Sequence, residues 1–240
     1  MIDVVIPTKN SGQTLDLCIR GIKNHIPYGR IIVIDDYSED DTLDIAQKHE
    51  CFIVKSRAKY SLKLRQGAWF TKGQYFMIVD SDVIVTHAFK TLFKHLDSGY
   101  AVLKGVTWHW FKPPFDALSF YMMERSAEQI CGLEAVLLSK KEFLEHTKHW
   151  GDDSFGAGGD LNLFHIYRKN SIPMLQMPVP VSIHISGDWK RLWRQALWYA
   201  KSYVKRPYLP IRETNRNPLK SLFRAMKGSL KYKNAKLFAV

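Results

Sequence analysis

Three short apolar runs constrain this chain more than any other feature: VVIPTKN (residues 4–10), VIDDYSEDDT (33–42) and FMIVDSDVIV (76–85). Each begins nearly continuous in Val, Ile, Phe or Met, the pattern of a parallel strand covered on both faces, and each then meets polar residues that a buried strand avoids. Further strands are expected at 51–55, 100–107, 134–139 and 179–185, with the three leading runs assigned to 3–7, 30–35 and 75–80. Between them, Leu15, Cys18, Ile19 and Ile22 recur at spacings of three and four, which predicts a helix with one apolar stripe. Strand–helix–strand alternation of this kind predicts an α/β fold built on a doubly wound, mostly parallel sheet of the nucleotide-binding type. Such sheets bind ligands outside the carboxyl ends of their strands, near the point where strand order reverses. Asp35, Asp36, Asp80 and Asp82 are therefore expected to share one crevice.

The residue types at those strand ends suggest chemistry. Asp80-Ser81-Asp82 sets two hard oxygen ligands about one small residue, a donor set suited to Mn²⁺ or Mg²⁺ that completes its shell with water and phosphate oxygens. The plainer alternative is a solvated turn. Asp35 and Asp36 precede a helix-start pattern at Ser38–Thr42, so they either satisfy free amides there or accept from the N–H edge of a nucleotide base. Asp160 follows Gly156-Ala157-Gly158-Gly159 and is read either as a helix cap or as a general base on a loop. His184 alternates with Ser182 in the last strand and is a candidate third metal or diphosphate contact, against the simpler reading of a structural histidine.

Charge divides the chain unevenly. Residues 1–189 carry 21 Lys+Arg against 22 Asp+Glu, and residues 190–240 carry 14 against one. Apolar positions 189, 192, 193, 196, 197, 200, 203 and 204 follow helical spacing with basic residues between them, and the pattern returns at Leu219, Leu222, Phe223, Met226 and Leu230. That combination suits an anionic membrane surface, with the alternative of a helix packed on the domain. Nucleic acid is not an expected partner, because paired carboxylates in the crevice repel phosphate. Three widely spaced cysteines without a CxxC pair argue against a disulfide framework or a zinc site. The chain opens directly into a strand-like run rather than a signal peptide, and no stretch reaches the roughly 18 to 20 apolar residues of a membrane span. The segment 108–115, Trp-His-Trp-Phe-Lys-Pro-Pro-Phe, is read as an aromatic lip for an acceptor or as core.

Taken in order, VVIPTKN, VIDDYSEDDT, GQYFMIVDSD and GGDLNLFHIYRKN resemble the IPxxN, VDDxSxDxT, GxYIxxLDxD and (E/D)DxxLxxRxxxxG elements of glycosyltransferase family 2 over roughly residues 1–200. The resemblance implies an inverting GT-A fold enzyme that moves a hexose from a nucleoside-diphosphate sugar. It places Pro7, Thr8, Asn10, Asp35, Asp36, Arg65, Asp80, Ser81 and Asp82 at the donor, Mn²⁺ or Mg²⁺ on Asp80, Asp82 and His184, and Asp160 as the base. Gly159 stands where the family usually has an acid, and Arg65 is one position from its usual place. Gln195-Ala196-Leu197-Trp198 lacks the arginine of the processive members, which implies single-sugar transfer. The expected organisation is a transferase domain over 1–206 and a basic membrane-associating tail over 207–240. The expected partners are a GDP- or UDP-sugar and a lipid-linked acceptor at the cytoplasmic face of a membrane. A haloacid-dehalogenase phosphatase wants Thr where Ile84 stands, and a nucleotidyltransferase wants a Gly-rich loop that IPTKNSGQT does not supply.

Overall fold

The computed structural model describes residues 1–111, 132–151 and 159–187. The expected basic tail, the helix pattern from Trp189 and the Lys112–Phe115 half of the aromatic lip lie outside the described residues.

Eight strands form one sheet in the order β3-β2-β1-β4-β7-β6-β8-β5. They are β1 (Ile2–Thr8), β2 (Tyr28–Asp35), β3 (Phe52–Lys55), β4 (Tyr75–Val79), β5 (Val83–Val85), β6 (Val102–Phe111), β7 (Ala135–Ser139) and β8 (Met174–Gly187). Every residue of β1 is buried, as a central strand covered on both faces must be. It pairs in parallel with β2 on one side and β4 on the other, so strand order reverses at β1 and a crevice opens beyond Thr8 and Val79. The β2–β3 and β6–β8 pairs are also parallel, whereas β7 runs antiparallel to β4 and β6, and β5 antiparallel to β8.

Helices cover both faces. On one lie α1 (Gly12–His25), α2 (Thr42–Lys48) and a 3₁₀ helix (His87–His95); Leu15, Cys18, Ile19 and Ile22 are the buried stripe of α1. Each such side chain contributes roughly 1.5–3 kcal/mol on burial before the entropy of ordering is subtracted. The opposite core joins α3 (Tyr60–Phe70), α4 (Lys140–His146) and α5 (Gly159–Lys169) to Val5, Ile32, Ile34, Phe76 and Ile78. Gly67 lets α3 lie against the sheet: a Cβ there would come within 2.3 Å of Val5 Cγ1.

The seven expected strands are all present, with shifted limits. The run 100–107 continues through Trp108-His109-Trp110 to Phe111, because β8 offers it a partner as far as Gly187. β8 itself begins at Met174 rather than 179. β5 was not expected; only three residues long, it follows Asp82 after a turn and forms by pairing with β8, a contact remote in sequence.

Candidate active site

Three chain segments meet beyond the carboxyl end of β1. The first is the β1–α1 loop. Thr8 is buried, and its hydroxyl donates to Asp35 Oδ1 at 3.1 Å. Asn10 has a left-handed backbone, φ 49°, and crosses to the second loop by donating from its amide to Ser38 Oγ and accepting from Glu39 N. Ser11 Oγ lies 2.8 Å from Ser81 Oγ, tying the same loop to the segment after β4. Tyr37, at the end of β2, is also left-handed at φ 51°, a strained conformation for an aromatic residue. Asn10 and Tyr37 thus sharpen the two turns that shape the crevice floor.

Asp35, expected either to satisfy free amides or to meet the donor, does the first: it is fully buried, its Oδ2 accepts from Ser38 N at 2.9 Å and its Oδ1 from Ser38 Oγ at 2.5 Å, so it shapes the turn. Asp36, one residue on and on the other side of the chain, takes the exposed role. Its Oδ2 lies 3.1 Å from Lys63 Nζ and 3.3 Å from Lys9 Nζ. Lys63 is nearly buried, so its pair is the stronger one; Lys9 is mostly in solvent, where an ion pair contributes little.

The metal-ligand candidates occupy the third segment. Asp80 Oδ1 accepts from the Tyr60 hydroxyl at 2.6 Å, and the Asp80 amide donates to the Glu134 carbonyl. Burial, aided by the nearby charge of Asp82, pushes the Asp80 carboxyl up to about 7, against the opposing hydrogen bond from Tyr60. Asp82 Oδ1 lies 3.4 Å from His184 Nε2. Burial works against charging His184, yet Asp82, with help from Asp80 and Glu134, holds its pKa above the ordinary value. His109, opposite His184 in the β6–β8 ladder with ring centroids 4.9 Å apart, is pulled down to about 4, chiefly by burial and then by His184. Behind them lies a buried ion pair, Lys104 Nζ to Glu134 Oε2 at 3.2 Å; burial raises Glu134, but Lys104 outweighs it and keeps the carboxyl below its usual range.

The donor set fits a hard dication. Burial first, and the charge of Asp82 second, already favour a proton on Asp80, and a divalent ion between the two carboxylates would offset both. His184, expected as a third metal or diphosphate contact, stands beside Asp82 with Nε2 3.4 Å from its Oδ1, and among the described residues no group of three His, Cys, Asp or Glu side chains is close enough to hold an ion by itself.

Arg65, expected at the donor, packs elsewhere. Its guanidinium lies 4.7 Å from the Trp69 ring centroid, and Trp69 is exposed. At 100° per residue it sits some 200° around α3 from Lys63, so it points away from Asp36. Tyr60 and Lys63 face the crevice in its stead, at helical spacing i, i+3. Neither was singled out in the sequence, because nothing local distinguishes them; an aromatic and a lysine at one helical spacing were the available signal. Asp160 lies in the first turn of α5. Gly159 before it is pressed on α3: a Cβ there would meet Ser61 Oγ at 2.1 Å, which accounts for glycine where an acid was expected. The first turn of α5 therefore adjoins Ser61, the residue after Tyr60.

The profile of glycosyl transferase family 2 matches residues 3–156, well over half of the chain and every segment just described up to the start of α5. The chain belongs to glycosyl transferase family 2. As a family member it is a glycosyltransferase, and the sheet is of the GT-A type. No curated protein matches the sequence. Among solved structures this transferase is similar to glucosyl-3-phosphoglycerate synthase from Mycobacterium tuberculosis in complex with Mn²⁺, uridine diphosphate and glucosyl-3-phosphoglycerate. The identity is 18% and the TM-score 0.60, over 88% of this chain and 81% of that one. It is also similar to S. aureus TarS 1-349 in complex with UDP-GlcNAc, at 14% identity and TM-score 0.60, over 80% of this chain and 60% of that one. At such identities the likeness is one of fold.

Proposed function

We propose that this transferase moves a single hexose, with inversion, from a UDP- or GDP-linked donor to a lipid-linked acceptor at the cytoplasmic face of a membrane, using Mn²⁺ or Mg²⁺. One observation carries the donor half: Asp36, just past β2, and Asp80 and Asp82, just past β4, follow the two strands that flank β1 at the reversal point, with Asp36 and Asp80 gripped from one face of α3 by Lys63 and Tyr60 and Asp82 paired with His184. The complex of the similar synthase with Mn²⁺ and uridine diphosphate supports the same assignment.

Asp36 accepts from the N–H edge of the base through the oxygen that Lys9 and Lys63 leave free. Pro7 and Thr8 form the wall beneath it, and Asn10 and Ser81 border the phosphates. Asp80 and Asp82 would hold the divalent ion, which when bound supplies several kcal/mol of stabilisation to the charge growing on the departing diphosphate. Tyr60 fixes the Asp80 carboxylate and His184 the Asp82 carboxylate, so neither needs to reorganise as the bond to the sugar breaks. Asp160 takes the proton from an acceptor hydroxyl placed opposite the leaving group. An acceptor that is already an ionised phosphate needs no such base.

The acceptor half rests on the C-terminal fifth, with its 14 Lys+Arg against one acid and its apolar positions at helical spacing. We assign the transferase domain to 1–206 and a basic, membrane-associating tail to 207–240. Among the described residues no helix is long and apolar enough to cross a membrane. The donor reading is tested with a panel of UDP- and GDP-sugars: a rise in melting temperature that requires Mn²⁺ or Mg²⁺ and is lost in Asp82→Asn supports it. A flat response across the panel, or binding that Asp82→Asn leaves intact, refutes it. Flotation with phosphatidylglycerol vesicles, with and without residues 207–240, tests the tail; equal recovery refutes its role.

A further inference from the structure

The β3 end of the sheet has a surface that the reaction does not use. β3 is the outermost strand at that end, and its one strand partner among the described residues is β2. From Cys51 to Val79 the chain carries six Lys or Arg and no Asp or Glu, although residues 1–189 as a whole are balanced in charge. Four of the seven exposed large apolar side chains among the described residues cluster here: Phe52, Trp69 and Phe70, with Tyr37 at the crevice end. Phe52 and Phe70 pack ring to ring with centroids 5.4 Å apart.

Three of these aromatics carry a cation. Arg30 lies 5.9 Å from the centroid of Phe52, Arg65 4.7 Å from that of Trp69, and Arg57 4.6 Å from that of Tyr37, with Lys55 at 6.0 Å from the same ring. Arg30 is paired with Asp3 at 3.0 Å, so the positive excess of this edge rests on Lys55, Arg57 and Arg65; exposed rings flanked by these groups match the two layers of an anionic bilayer surface, phosphates outermost and the acyl boundary beneath. A single-stranded nucleic acid also uses rings with basic groups beside them, so it is the rival occupant that the test below is built to separate. We propose that this edge, comprising β3 and the C-terminal half of α3, is a docking surface for anionic membrane, separate from the C-terminal tail. It meets the crevice at Tyr37, next to Asp36, so a bilayer lying along it stands beside the mouth of the donor site.

The test uses the full chain and vesicles of phosphatidylcholine with or without phosphatidylglycerol. Contributions from two contact surfaces multiply in the partition constant, so the tail does not mask the edge. Trp69→Ala/Phe70→Ala and, independently, Lys55→Glu/Arg57→Glu are each expected to weaken binding to anionic vesicles by about ten-fold or more. The metal-dependent melting shift with donor is expected to persist in both, which shows that the fold and the transferase site survive. Partition constants within about two-fold of the parent for the charge-reversal variant overturn the proposal, as does a loss confined to binding of single-stranded oligonucleotide or to self-association. None of these outcomes bears on the donor reading, which stands or falls on the melting shift.

Discussion

Gly67→Ala separates two accounts of α3. On a free helix surface the change is favourable by about 1 kcal/mol, because alanine restricts the unfolded chain and suits a helix. Here the new methyl meets Val5 Cγ1 at 2.3 Å, Val5 Cγ2 at 3.2 Å and Ile34 Cγ1 at 3.3 Å, and Val5 and Ile34 are fully buried in central strands. Relief requires α3 or β1 to move by about an ångström, and overpacking of this kind costs about 1–3 kcal/mol. Set against the helix gain, the net loss is up to about 2 kcal/mol, a drop of up to roughly 4–8 °C in melting temperature for a chain of this size. The shift also draws Tyr60 from Asp80 and Lys63 from Asp36, so metal-dependent donor affinity is expected to fall with it. Thermal unfolding followed by circular dichroism, paired with donor titration, reads both. A higher melting temperature in the alanine variant would refute the packing of α3 on β1, and with it the placement of Tyr60 and Lys63 in the crevice.

Four further outcomes follow from the same geometry. Lys63→Met keeps the apolar stem but leaves Asp36 with the exposed Lys9 alone, and is expected to lower stability by about 1–2 kcal/mol in urea unfolding while weakening donor binding. Asp80 titrates near 7 in the fold against 3.8 as its ordinary value, so the native state holds a proton that the unfolded chain releases. In the metal-free protein this contribution to stability is therefore present below about pH 4 and is lost as pH rises toward 7, then levels; Asp80→Asn should flatten that slope. Tyr60→Phe removes the hydrogen bond that lowers the Asp80 pKa, and should move the pH midpoint of Mn²⁺ binding, measured by electron paramagnetic resonance, upward. Asp160→Asn should reduce kcat by about 10²–10⁴ with the donor-induced melting shift intact, and an unchanged kcat would point to an acceptor that needs no base.

Much of this architecture was legible because it is written in period and punctuation. Continuous apolar runs marked β1, β2 and β4, and the carboxylates at their ends marked the rim of the crevice. What the chain did not announce are relations across space. Asp35 and Asp36 look equivalent on paper; the turn that buries one and exposes the other depends on Ser38 and on the left-handed backbone of Tyr37. Arg65 matched a motif by type, but helical phase turns it onto Trp69 and gives its place to Lys63. Lys104 and Glu134 carry no local signal, and His109 stood out only as part of an aromatic run, since the three become neighbours only when β6, β7 and β8 align beside β4. β5 escaped notice for the same reason: three apolar residues after a turn declare a strand only once β8 is there to receive them.

The phase of α3 has a consequence for how this chain can vary. Tyr60, Lys63 and Gly67 reach Asp80, Asp36 and β1 from one face of the helix, while Ser61, further round, meets the start of α5. Inserting or deleting one residue between positions 60 and 67 would rotate part of that face by 100° and sever contacts to several partners in one step. A change of length within this stretch is therefore expected to cost more than a change of residue, and grafted versions of the enzyme must carry the whole turn intact.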